Sequence, residues 1–122
     1  MPFVDVQLVV PGSEGVPPGL AQAVADALGH LFELPPGRTW VRTSTLPAAN
    51  YAENGLPLVQ DGLPVFVTLL LAIPPEGEDR ANQAARITTA VALAVGRDRS
   101  NVHIEYAAAG KGRVAFGGVL VE

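Results

Sequence analysis

The stretch VFVTLLLAI, residues 65–73, is the largest hydrophobic run of this sequence, and only Thr68 interrupts it. A short, nearly continuous apolar run of this kind is typical of a strand buried on both faces, or of one packed between helices and another subunit. The run therefore predicts a sheet protein in which association between chains is an early expectation.

A helix and further strands are predicted after this run. Residues 80–95 (RANQAARITTAVALAV) have apolar side chains at helical spacing, and residues 101–106 (NVHIEY) have the composition of a strand. The pair Gly117-Gly118 predicts a turn before a short final strand at residues 119–121. The apolar stripe of the helix consists of Ile87, Val91, Ala94 and Val95.

The first half of the chain predicts the same plan. Residues 2–10 (PFVDVQLVV) and 39–43 (TWVRT) are predicted strands, and residues 19–32 (GLAQAVADALGHLF) lie between them as a helix. The pair Asn54-Gly55 predicts a turn. The apolar stripe of this helix consists of Leu20, Val24, Leu28, Leu31 and Phe32.

The two halves are related by one gapless offset, which places Trp40 opposite His103. We interpret residues 1–122 as a single domain with pseudo-repeats 2–55 and 65–118. Two tandem β-α-β units predict an α+β fold of two layers, with a four-stranded mixed sheet and both helices on one face. The other sheet face is expected to be uncovered and apolar, so a symmetric homo-oligomer is expected to cover it.

Composition excludes several classes of function. Hydrophobic residues make up 48% of the chain and charged residues 16%, which excludes a disordered protein. The sequence has no cysteine for disulfides or thiolate catalysis, and its net charge of −4 argues against nucleic-acid binding. No apolar segment is long enough to span a membrane, and the start lacks the basic residues of a signal peptide, so a cytoplasmic protein is expected. Two histidines without metal-ligand spacing predict no metal site.

The motifs of the chain, taken together, resemble those of a known family. Met1-Pro2 leads straight into a strand, and Leu34-Pro35-Pro36 precedes the second strand. Residues 111–118 (KGRVAFGG) are similar to a lysine-to-double-glycine hairpin, and residues 50–55 (NYAENG) hold the equivalent place in the first half. This order resembles the tautomerase superfamily, which includes 4-oxalocrotonate tautomerase, macrophage migration inhibitory factor and 5-carboxymethyl-2-hydroxymuconate isomerase. The resemblance implies a homotrimer in which three sheets form a barrel inside six helices.

The resemblance also implies a catalytic role for Pro2. An internal proline nitrogen is an amide, but removal of Met1 would expose a secondary amine that can take up a proton. Apolar surroundings such as Phe3 disfavour the charged amine and bring its pKa towards the range of a general base at neutral pH. The implied activity is a cofactor-independent keto–enol tautomerase, an isomerase of small α-keto or enol acids. Val65 holds the position of Pro2 in the second half, so each chain has one such site.

Two further catalytic residues are implied by the tandem relatives. His103 and Glu105 share one strand face and would approach Pro2 of a neighbouring subunit. His103 would donate a hydrogen bond to the developing enolate oxygen, and Glu105 would orient a water or hold the proline ring. The alternative is that both side chains pair with Arg42 or Arg38 across a wet interface.

The family's substrate-binding cations are replaced in this sequence. The loop after the first strand has no arginine, the second-strand arginine aligns with Trp40, and the lysine of the migration inhibitory factor aligns with Leu34. Use of a dicarboxylate substrate is therefore in doubt, and the nearby cations are Arg38 and Arg42. The resemblance makes Tyr51 an apolar wall, with plain packing as the alternative, and places Ile73 at the pocket, although Ile73 also suits the core. The residues expected to bind substrate are Arg38, Trp40, Arg42, Tyr51 and Ile73.

Two other functions fit the same fold. A hydrolytic dehalogenase or decarboxylase would use Pro2 as an acid and Glu105 to activate water. A non-catalytic trimeric scaffold or binding module would need neither role, and retention of Met1 would favour it.

Overall fold

Strands and helices alternate in the order that the sequence predicts. The structure, a computed structural model, describes residues 1–122 except for the side chain of Gln60. The strands and α-helices are β1 (Phe3–Val10), α1 (Leu20–Leu31), β2 (Trp40–Pro47), β3 (Val65–Leu70), α2 (Gly77–Val95), β4 (Val102–Tyr106), β5 (Ala115–Phe116) and β6 (Val119–Leu120).

The main sheet has four strands in the order β2-β1-β3-β4. Each β-α-β unit is parallel within itself, and the two units meet where β1 and β3 run antiparallel. Phe3 faces Trp40 in the first unit, and Phe66 faces His103 in the second. The mixed four-stranded sheet with two helices is therefore confirmed.

The hydrophobic core lies between one sheet face and the two helices. Alternate strand residues point to this side because side chains alternate along a strand, and the helices present the stripe that their 3.6-residue period predicts. The helices pack against each other as well as against the sheet. The fully buried strand and helix residues of the core are Val4, Val6, Val24, Leu28, Val65, Val67, Leu69, Ile87 and Val91.

The opposite sheet face is mixed in character, so the expectation of an apolar face was wrong. Phe3, Trp40 and Phe66 lie on it, but polar side chains alternate with them along and across the strands. The apolar run of β3 suggested otherwise because it is the most hydrophobic strand of the four. The polar residues of this face are Asp5, Gln7, Arg42, Ser44, Thr68, His103 and Glu105.

The largest differences from the predicted strand bounds are in β2 and β3. β2 extends to Pro47 because it pairs with β1 as far as Val10, and a proline is tolerated on this edge strand. β3 ends at Leu70, before the end of the apolar run. The next carbonyl, that of Leu71, accepts a hydrogen bond from Gly110 instead of from a strand neighbour.

The chain ends in a small hairpin, residues 110–121, that forms a two-stranded sheet of its own. Gly117 and Gly118 have φ values of 57° and 84°, a left-handed conformation that glycine adopts at little cost. The carbonyl oxygen of Val121 accepts a hydrogen bond from the N–H of Gly112, and the N–H of Val121 donates to the carbonyl oxygen of Val114. The predicted glycine turn and final strand are therefore present, and we call this segment the C-terminal hairpin.

Candidate active site

Pro2 directly precedes β1 and has less than 2% of its surface exposed. Its carbonyl accepts a hydrogen bond from the backbone N–H of Trp40 at 3.1 Å, which ties the start of β2 to the N-terminus. Because Met1 is attached, the nitrogen of Pro2 is an amide here and has no basicity. The structure therefore places a buried proline at the chain start, with its chemistry dependent on Met1.

The α-amino group of Met1 reports the electrostatic surroundings of this position. It donates a hydrogen bond to the carbonyl oxygen of Arg38 at 3.2 Å. Partial burial, and secondly the positive charge of Arg38, lower the pKa of this amino group below its usual value. The surroundings of the N-terminus thus disfavour the protonated amine, and the charge of Arg38 contributes to this effect.

An aromatic cluster lies beside the start of β1 and β2. The ring of Phe116, from the C-terminal hairpin, stacks on Trp40 with centroids 4.4 Å apart and an interplanar angle of 15°. The ring of Phe3 is 6.4 Å from the same phenyl ring. In the sequence, Phe116 stands out only as part of the hairpin motif. The repeat gave no signal for it, because the corresponding residue of the first half is Glu53.

Arg42 is engaged with a carboxylate that sequence analysis did not single out as its partner. Its Nε and Nη2 donate to the two oxygens of Asp5 at 2.7 and 3.0 Å, and its guanidinium lies 4.6 Å from the ring centroid of Phe3. Asp5 and Arg42 are neighbours in the β1–β2 register. Any other carboxylate that approached Arg42 would have to compete with this bidentate pair.

His103 and Glu105 do not approach Pro2 within one protomer. Both are exposed on β4, which β3 separates from β1. In the strand register His103 pairs with Phe66, and the centroids of their rings are 5.6 Å apart, whereas Phe3 pairs with Leu70. Four residues of strand correspond to about 13 Å, so Pro2 and His103 lie at opposite ends of the sheet. Their approach across a subunit boundary stays a prediction, and the ion pair of Arg42 is with Asp5.

Tyr51 and Ile73 also lie apart from one another. The hydroxyl of Tyr51 donates to Glu53 at 2.7 Å, and its ring is 5.7 Å from Phe66, at the end of the sheet away from Pro2. Ile73 lies beyond β3 at the same end as Pro2 and is 70% exposed. The interpretation of Ile73 as a core residue was therefore wrong, because the chain leaves the sheet before it reaches this residue.

Comparison with known proteins identifies the fold. No family model and no curated protein matches the sequence. A solved symmetric trimer of fused 4-OT aligns with a TM-score of 0.73 and 17% identity, covering 98% of this chain and 94% of that chain. The macrophage migration inhibitory factor of Oncomelania hupensis aligns with a TM-score of 0.71 and 16% identity, covering 100% and 83%. FG41 malonate semialdehyde decarboxylase, inhibited by 3-bromopropiolate, aligns with a TM-score of 0.67 and 18% identity, covering 94% and 88%.

This chain has the fold of the tautomerase superfamily. At these identities the likeness is one of fold, and the roles of individual side chains are separate questions. In this tautomerase fold, the structure gathers Pro2, Arg38, Trp40 and Phe116 at one end of the sheet.

Neither a metal-binding cluster nor a membrane-spanning helix is found in the part of the chain that the structure describes. There, no three histidine, cysteine, aspartate or glutamate side chains are grouped to hold a metal ion. No helix of the described residues has both the length and the apolar character to cross a bilayer. The cytoplasmic location stays a prediction, which cell fractionation would test.

Proposed function

We propose that this protein is a cofactor-independent keto–enol tautomerase of a small α-keto or enol acid, with the amine of Pro2 as general base after release of Met1. The observation that carries the proposal is the buried position of Pro2, directly after the Met1 amino group whose pKa is lowered by burial and by Arg38. A lowered pKa increases the share of an amine that is free to accept a carbon-bound proton.

The proposed reaction is a proton shuttle between two positions of the substrate. Pro2 accepts the proton from the carbon next to the keto group, the electrons of that bond form an enolate, and the proton is returned at the alternative position. Arg38 would attract the substrate carboxylate. Trp40 and Phe116 would cover the site with apolar surface, which strengthens these electrostatic interactions.

A homotrimer is part of the proposal. Strands β2 and β4 are the outer strands of the sheet, and the mixed sheet face carries exposed side chains. The fused 4-OT neighbour is a symmetric trimer, which supports the same assembly here. In such a trimer His103 and Glu105 of one subunit would complete the Pro2 site of the next. Native mass spectrometry would test this assembly, and a monomer would contradict it.

The decisive experiment compares three forms of the protein on phenylenolpyruvate. They are the Pro2-terminated form, the same sequence isolated with Met1 retained by inhibition of methionine aminopeptidase, and Pro2→Ala. Mass spectrometry establishes each N-terminus. The form with Met1 should lose at least about 100-fold in kcat/KM, the contribution of a positioned base. Equal activity of the Pro2-terminated form and Pro2→Ala would refute the mechanism.

A second candidate, a non-catalytic trimeric binding module, is favoured by the packing of Met1. Its amino group bonds to Arg38, and its side chain reaches Gly110. Mass spectrometry of natively expressed protein separates the two candidates. Intact Met1 would support the binding module, whereas complete removal would support the enzyme.

A further inference from the structure

The side chain of Met1 occupies space that Gly110 leaves open. A Cβ atom on Gly110 would lie 2.5 Å from Cε of Met1, 3.3 Å from the carbonyl oxygen of Leu71 and 3.4 Å from Cδ1 of Leu70. Gly110 is itself buried. The end of Met1 therefore fills a slot whose floor is a glycine backbone.

The backbone around Gly110 is held firmly in place. Its N–H donates to Leu71 at 2.8 Å, and its carbonyl accepts from Arg113 at 2.8 Å and Val114 at 3.1 Å. Gly110 does not have the positive φ that requires glycine elsewhere in this chain. Space, and not backbone conformation, is thus the reason that a larger residue fits poorly here.

Met1 shows two directions in which a molecule can extend from the nitrogen of Pro2. One leads through its α-amino group to Arg38, at 3.2 Å from the carbonyl oxygen. The other follows its unbranched side chain to Gly110. Release of Met1 opens both directions at the atom that would become the base.

The chemistry at the two ends differs. At the Arg38 end, the carbonyl oxygen accepts from the Met1 amino group and would repel a carboxylate, so a carboxylate there would have to face the guanidinium, whose positive charge acts on the same amino group. The slot at Gly110 presents aliphatic carbon of Leu70 and the carbonyl oxygen of Leu71, which would repel a second carboxylate. An apolar group is the suitable occupant of that slot, since its burial there removes hydrocarbon from water.

We infer that the Pro2-terminated protein binds a 2-oxo monocarboxylate with an unbranched alkyl tail, and that the tail occupies the slot of the Met1 side chain. The tail would contain about four non-hydrogen atoms, as the methionine side chain does. This inference rests on the proposed function of Pro2. In the reaction, the C3 proton moves to the nitrogen of Pro2, the C3–H electrons form the enolate, and a proton returns to C3.

Exchange of the C3 proton in D₂O, followed by NMR, measures this step directly. The substrates are the straight-chain 2-oxo acids from 2-oxobutanoate to 2-oxooctanoate. We expect kcat/KM for exchange to rise about fourfold with each added methylene until the slot is full. The increase should stop near 2-oxoheptanoate. A rate that stays level or falls along the series would overturn the inference.

Gly110→Ala tests the slot itself in the same series. The added methyl group overlaps the position of Cε, the last atom of the Met1 side chain, so the rise with tail length should end about one methylene earlier while 2-oxobutanoate is still turned over. Gly29→Ala is the matched control, because its Cβ would make an ordinary contact, 3.6 Å from Oγ1 of Thr39. An unchanged optimum tail length in a folded Gly110→Ala protein would contradict the inference.

A binding experiment separates this inference from the proposed function. Trp40, the single tryptophan, reports binding of butanoate, hexanoate and octanoate by fluorescence. Affinity that rises with chain length, and is lost when Met1 is retained, supports the slot even if no exchange occurs and the tautomerase proposal fails. Exchange without any dependence on chain length would reject the slot and leave the tautomerase proposal intact.

Discussion

Arg97 provides a quantitative test of how the two halves are joined. It follows the end of α2, and its guanidinium donates to the carbonyl of Leu63 at 2.9 Å and to that of Val9 at 3.0 Å. Partial burial lowers the pKa of Arg97, but an arginine side chain stays protonated in proteins. One side chain therefore connects the end of β1, the segment before β3 and the end of α2.

Arg97→Met keeps much of the aliphatic stem and removes both donors. A hydrogen bond from a charged group contributes about 1.5–3 kcal/mol, and unpaired carbonyls in a largely buried place add a desolvation cost. Since the guanidinium remains partly open to water, we expect the free energy of unfolding to fall by about 2–4 kcal/mol in total.

Urea denaturation followed by Trp40 fluorescence measures this loss. Protein concentration must be held constant, because association of subunits changes the apparent stability. Arg97→Lys should retain part of the stability, since an ammonium can still reach one carbonyl. Arg113→Met, in the exposed part of the C-terminal hairpin, is the control. A decrease below about 0.5 kcal/mol for Arg97→Met, the range of ordinary surface substitutions, would refute the reasoning.

Three further outcomes are expected. In the Pro2-terminated form, Arg38→Gln removes a positive charge that opposes protonation of the amine, so the pKa of the amine should rise. The acid limb of the kcat/KM–pH profile should then move to higher pH. Arg42→Gln is the control and should leave that limb in place. Phe116→Ala should release the C-terminal hairpin from Trp40, at a cost of about 0.5–1.5 kcal/mol beyond area burial, and unchanged amide exchange in the hairpin would contradict this. Leu28→Ala should reduce the free energy of unfolding by about 2–5 kcal/mol, measured in urea; a loss below about 1 kcal/mol would show that Leu28 is not in a packed core.

The sequence determined the elements, their order and the face that each presents to the core. Leu28 and Ile87 are fully buried on their helices, as the 3.6-residue period predicts. The parallel pairing within each β-α-β unit followed from chain connectivity and crossover handedness. These features are predictable because periodicity and connectivity act over short stretches of chain.

Only the tertiary structure decided which distant side chains meet. Asp5 pairs with Arg42 because the β1–β2 register places them side by side. Phe116 contacts Trp40 because the C-terminal hairpin returns to the start of the sheet. Met1 meets Gly110 for the same reason. No local period carries this information, since register and loop path depend on the packing of the whole chain. The mixed character of the open sheet face likewise emerged only when four strands were aligned.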